Sequence, residues 1–158
     1  MPELLDRKFR LLWWHYVGQS LLATGLVFLV ILLLQMNNAV VVASLGSSVF
    51  ILFVLPESQT AQARRVIGGH AVGLICGGLW ALVPHTSSLA SAGVYAAAIG
   101  SSLFLMVITD TEHPPASGTA LGVAMTGSHL ELALSLMVSV ALLSLFHRLL
   151  QGRLKNLL

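Results

Sequence analysis

The stretch DTEHPPASGT, residues 110–119, sets Asp110, Glu112, His113, Pro114 and Pro115 side by side in a chain that is nearly pure hydrocarbon on either flank. An imidazole such as His113 can donate, accept or change charge near neutral pH. Proline is favoured in the first turn of a helix, where its missing N–H has no partner to lose. The double proline therefore opens a helix, with Ser117 and Thr119 in its first turns. A helix start of this kind offers free N–H groups and a partial positive charge, both of which favour an anion. Asp110 and Glu112 oppose an anion unless they are protonated or paired, and Arg64 and Arg65 are the cations available to pair with them. Those pairs would hold two loops together, while a free carboxylate could carry a co-transported proton. The plainer alternative is a rigid turn with ordinary capping.

Hydroxyls form the second group of candidates. Gly46-Ser47-Ser48 and Gly100-Ser101-Ser102 fall near the middle of two apolar segments, where paired hydroxyls from two helices could line a polar site or pore. Small residues in lipid also let helices approach closely, and that reading competes for all four serines. Packing accounts well for Gly69, Gly73 and Gly77 at four-residue spacing, and for Gly118 with Gly122. His70 lies about five residues inside an apolar segment, where an ionisable group is a functional candidate or a hydrogen-bond partner for a neighbouring helix.

These residues must be positioned by membrane helices. The chain is 56% hydrophobic and 9% charged, against roughly 25% charged in a soluble domain. Charges are absent from Leu11 to Pro56, from Val66 to Thr109 and from Leu132 to His147. Each such run suffices for one or two passes of about 20 residues. Breakers divide the chain into six segments near 14–36, 38–55, 66–83, 89–109, 115–127 and 129–149. The expected fold is an all-α, polytopic transmembrane bundle within one domain, 1–158, with five full-length segments and one short one. The fifth segment, PASGTALGVAMTG, is too short to cross alone as a regular helix and either spans with help or is re-entrant. The first apolar run exceeds a signal-peptide core and is taken as retained.

Arg7, Lys8 and Arg10, then Arg64 and Arg65, then Arg148, Arg153 and Lys155 share one side if the chain crosses six times. By the positive-inside rule that side is cytoplasmic, with both termini there. The expected location is a bacterial inner membrane. Basic residues confined to ends and one loop make no continuous patch, so no nucleic-acid partner is expected. Cys76 is the only cysteine, which rules out an internal disulfide. The six histidines are scattered, and no pair of them has the i, i+4 spacing of a helix-borne zinc site with an intervening acid. No metal, cofactor or enzymatic activity is expected.

Sliding the chain by 54 positions lays LGSSVFILFVL over IGSSLFLMVIT and Gly68 over Gly122. The halves 38–83 and 89–127 then read as two copies of one hairpin in the same orientation, flanked by helices 14–36 and 129–149. The loop with Glu57, Arg64 and Arg65 corresponds to the loop with Glu112 and His113.

TEHPPASGTALG, together with GSSVFILFVLPESQTAQARRVIGGHAVG, resembles the HPP family of integral membrane proteins, over roughly residues 15–150. The resemblance implies a compact helix bundle and transport of a small inorganic anion, nitrite by analogy with cyanobacterial and chloroplast relatives. It carries over to Gly46, Ser47, Ser48, Pro56, Gln62, Arg64, Arg65, Gly68, Gly69 and His70, and to Glu112, His113, Pro114, Pro115 and Thr119. No CBS domain is expected. The expected partners are the bilayer, the anion and, because six short spans enclose little space, further copies of the chain. An intramembrane enzyme and an accessory subunit are the alternatives.

Overall fold

The computed structural model describes residues 7–34 and 38–158. Residues 35–37, which hold the end of the first expected segment and Asn37 of the Asn-Asn break, lie outside them, as does the side chain of Arg7. Among the described residues there are six α-helices and no strand: α1 (Arg7–Leu34), α2 (Ala39–Val54), α3 (Ala63–Ala81), α4 (Ser88–Ile108), α5 (Pro115–Thr126) and α6 (Leu130–Leu150).

Local chemistry sets the boundaries. The Asn38 side chain accepts from Val41 N–H and opens α2, and Ser87 does the same for α4 through Ala90 N–H. Pro115 occupies the first turn of α5, and Gly127, at φ +84°, ends it in a conformation that favours glycine. The third helix starts at Ala63, earlier than its apolar run, so Arg64 and Arg65 sit in its first turn. Cations there oppose the helix dipole, so they need acids nearby.

Among the described residues three helices, α1, α4 and α6, have the length and hydropathy to cross a membrane. The expectation is five full-length segments and one short one. The second helix is apolar but has 16 residues, and α5 has 12. At about 1.5 Å per residue, both fall short of a hydrocarbon core of about 30 Å.

Contacts at the helix ends alternate the chain direction. His147 near the end of α6 lies 3.0 Å from the Pro56 carbonyl that follows α2. Leu157 N–H donates to the Val54 carbonyl, and Lys155 N–H donates to Gln19 Oε1 of α1. Arg65 of α3 reaches the acids after α4. At the opposite end, Asn38 Nδ2 donates to Thr126 Oγ1 at 2.8 Å.

Large side chains build the core between α1, α2 and α6, including Leu26, Val30, Leu52, Phe53, Leu136 and Leu143. Leucine and phenylalanine side chains such as Phe28, Leu89, Phe104 and Leu130 are exposed on the outside, as a lipid-facing surface requires.

The short α5 lies between α2 and α3 and packs on both. Gly73 and Gly77 of α3 face it, and Gly69, one turn earlier, faces Thr111 and His113 in the loop before it. A Cβ at Gly73 would stand 2.5 Å from the Ala116 carbonyl oxygen, and one at Gly77 would stand 2.5 Å from that of Ala120. Backbone meets backbone, so no side chain fits. On the other flank Gly118 faces Ser44, and Gly122 faces Val41.

Gly73→Ala should therefore destabilise the protein by about 1–3 kcal/mol through overpacking. Gly93→Ala, where an added Cβ meets nothing within 4 Å, should be neutral or stabilising. Thermal unfolding in detergent separates the two, and equal midpoints would refute the close α3–α5 contact.

Candidate functional site

A polar network runs through the interior where α2, α3, α5 and the two loops at one end meet. Ser44, Ser48, His70, His113 and Thr119 are all buried. The Ser48 hydroxyl lies 2.9 Å from His70 Nε2 and 2.8 Å from His113 Nε2. On its other side, His70 Nδ1 is 2.8 Å from Thr119 Oγ1, which is 3.0 Å from Ser44 Oγ. Ser44 in turn reaches the Pro115 carbonyl at 2.6 Å. His113 Nδ1–H donates to the Thr60 carbonyl at 2.8 Å, which leaves Nε2 of the neutral ring as an acceptor.

The two imidazole rings are 5.3 Å apart between centroids. Burial pulls the His113 pKa below the ordinary 6.5, with the Thr60 carbonyl acting in the opposite sense. The loop histidine is therefore neutral at pH 7, and protonates only as the pH falls below that ordinary value.

Beside the network, α2 and the start of α5 border an open groove of about 880 Å³. Ser47, Ser117 and the buried Ser44 supply its hydroxyls, while Gly46 and Gly118 widen it between apolar residues such as Phe50 and Ile51. Ser44 belongs to both features, lining the groove and touching Thr119. The first N–H groups of α5 are occupied locally, Ala116 donating to the His113 carbonyl and Ser117 to that of Pro114. The helix start is thus closed on itself rather than offered to an anion.

The charged loops are clamped. Arg65 reaches Glu112 and, at 2.6 Å, Asp110, while Arg64 approaches Asp110 at 3.1 Å. Asp110 adopts a left-handed backbone at φ 53°, a conformation that aspartate tolerates, and there it faces both arginines. Glu57 does not join them. Its carboxylate accepts from Asn156 Nδ2.

Of the residues singled out from the sequence, Ser48, His70, His113 and Thr119 meet in the network. Gly46, Ser47, Pro114, Pro115 and Ser117 border the groove. The α4 block stands apart. Gly100 is exposed, Ser101 accepts from Trp80 Nε1, and Ser102 donates to the Ile99 carbonyl of its own helix. Ser44 and Thr60 were missed. The signal for Ser44 was its four-residue spacing from Ser48, one helical turn away on the same face.

Residues 6–157 match the family model of the HPP transmembrane region. The chain belongs to the HPP family. A transmembrane protein of Dictyostelium discoideum is 30% identical over 111 residues, 66% of this chain and 39% of that protein. The chain thus spans about two fifths of that relative's length. No solved structure matches. Family membership and the apolar helices identify an integral, multi-pass membrane protein.

For this HPP domain the paired loops separate two arginines. The Arg65 side chain is 16% exposed and bridges two acids, whereas that of Arg64 is 67% exposed. Arg65→Ala should cost about 2 kcal/mol because it strands the partly buried Glu112, and Arg64→Ala no more than about 0.5 kcal/mol. Unfolding midpoints measured in parallel test this. Equal losses would mean that the burial of Arg65 and its second acid add nothing.

Proposed function

We propose that the protein is a membrane transporter or channel for a small inorganic anion, with nitrite the favoured substrate. One observation carries the reading: the hydroxyl-lined groove between α2 and α5 shares Ser44 with a buried histidine–hydroxyl network. Ser47 and Ser117 can turn their hydroxyls from their own helix carbonyls toward a small anion. The chain belongs to the HPP family, and the nitrite transport that this resemblance implies favours that substrate.

The chain crosses six times in this proposal, α2 and α5 completing their passes with neighbouring helices and a locally thinned bilayer. Contacts among the helix ends support the alternation, and they gather the arginines at one end. That end faces the cytoplasm by the positive-inside rule. The two-hairpin repeat is supported by matching burial: Ser48 and Ser102 point inward, while Phe50 and Phe104 point outward. The packing of α2 on α5 also mirrors that of α4 on α3. The open groove on a bundle this small favours a homo-oligomer.

Transport is preferred over catalysis because Ser48, the hydroxyl flanked by two histidines, has no exposed surface on which a substrate could land.

Purified full-length protein in liposomes should take up nitrite faster than empty liposomes. Ser47→Ala and Ser117→Ala should each lower uptake about fivefold, for about 1 kcal/mol per lost hydrogen bond. Ser102→Ala, buried away from the groove, should leave it unchanged. Uptake equal to that of empty liposomes, with folded protein, sinks the proposal.

A further inference from the structure

The hydrogen-bond network has two complete proton arrangements on the same heavy atoms. In one, Ser44 donates to Thr119, Thr119 to His70 Nδ1, His70 Nε2–H to Ser48, and Ser48 to His113 Nε2, while His113 Nδ1–H remains on the Thr60 carbonyl. Both rings are then neutral, and the contacts of Ser44 with the Pro115 carbonyl and of Ser48 with the Ser44 carbonyl are unused.

In the other, every direction inside the chain is reversed. His113 Nε2–H donates to Ser48, Ser48 to His70 Nε2, His70 Nδ1–H to Thr119, Thr119 to Ser44, and Ser44 to the Pro115 carbonyl. His113 keeps its Nδ1–H and is now an imidazolium. The second arrangement holds one proton more than the first.

One proton delivered to Ser44 from the groove converts the first into the second. Each member passes its own proton onward, no heavy atom moves, and the charge appears at His113. Ser44 is the contact point because it alone lines the groove and touches the chain's first link. The donor is a water or a weak acid in the groove, which is left as hydroxide or the conjugate anion.

We infer that Ser44, Thr119, His70, Ser48 and His113 form a reversible one-proton relay, and that its charge accompanies an anion in the groove. This deepens the transport reading and rests on it for the anion. The substrate class is the monovalent anion of a weak acid, moved together with one proton.

The groups facing the relay leave it as the site of the charge. The second and fifth helices present hydroxyls, Ser44, Ser48 and Thr119. Within α3, His70 is itself a member, and its nearest ionisable neighbour is His113. Glu112, next to His113 in the chain, is held by Arg65, and Asp110 by Arg64 and Arg65. His147 of α6 is turned to the Pro56 carbonyl.

The test uses full-length protein labelled with ¹⁵N-histidine in nanodiscs, with imidazole nitrogen shifts followed from about pH 8 to about pH 5. As His113 becomes doubly protonated, His70 should switch from the Nε2–H to the Nδ1–H tautomer over the same pH span. Thr119→Val keeps the side chain's shape and removes the link, so His70 should stay Nε2–H throughout, and Thr119→Ser should restore the switch. A His70 tautomer that never changes in the wild-type protein overturns the relay.

In liposomes, an outside pH one unit lower should drive nitrite inside to about tenfold its outside concentration, faster than in empty controls. Thr119→Val should still equilibrate nitrite but ignore the gradient. A His70 switch with uptake indifferent to the gradient overturns the coupling. A switch with no nitrite movement at all keeps the relay and removes nitrite as substrate. Gradient-indifferent uptake without a switch does the reverse.

Discussion

How closely α3 can approach α5 decides what else is possible in this protein. The two backbones touch through Gly73 and Gly77, with room there for nothing larger than hydrogen before the carbonyls of Ala116 and Ala120. Real Cβ atoms do not come within 3.0 Å of such a neighbour, so any side chain at Gly73 would push the helices at least about 0.5 Å apart. A displacement of that size stretches the 2.8 Å contact of His70 with Thr119 toward the limit of a hydrogen bond. The glycine pair therefore does more than pack. It sets the distance at which an imidazole on one helix meets a hydroxyl on another, in surroundings where water cannot substitute for a missing partner.

Much of this was legible in the sequence. Segment boundaries followed charge gaps and breakers, and the packing role given to the four-residue glycine spacing matches the α3–α5 contact. Residue chemistry also raised the arginine–acid pairing, because Asp110 and Glu112 oppose an anion unless paired and Arg64 and Arg65 are the cations available, and the structure joins them. What stayed hidden was which hydroxyls meet. Adjacent Ser47 and Ser48 looked like one pair, yet neighbouring helical residues point about 100° apart. Ser47 accordingly borders the groove while Ser48 enters the interior with Ser44, one turn earlier. The closed start of α5 was equally unreadable, since turn bonds from Ala116 and Ser117 depend on the backbone that Pro114 adopts.

The 54-residue offset that aligns the Gly-Ser-Ser blocks also explains why only one of them carries a polar network. It lays Ser44 on Ala98, and His70 on Ala124. Ala98 and Ala124 are as buried as their counterparts, so those places in the fold exist twice while the hydroxyl and the imidazole exist once. Ser102 consequently has no imidazole to meet and bonds within its own helix.

The distribution of polar contacts between the two ends of the bundle points the same way. At the arginine end, α3 and the loop after α4 are joined by ion pairs, α6 reaches the loop after α2, and the C-terminal residues bond to α1 and α2. Isolated exposed pairs contribute little, but these bonds tie successive helices into one connected set. Thr60 and His113 lie within that set, so the ring at the end of the network is anchored where the fold is most firmly tied. Ser44 lies at the opposite end of the network, on the groove wall. A fixed imidazole at one terminus and an accessible hydroxyl at the other is the geometry in which charge can move while the backbone stays still.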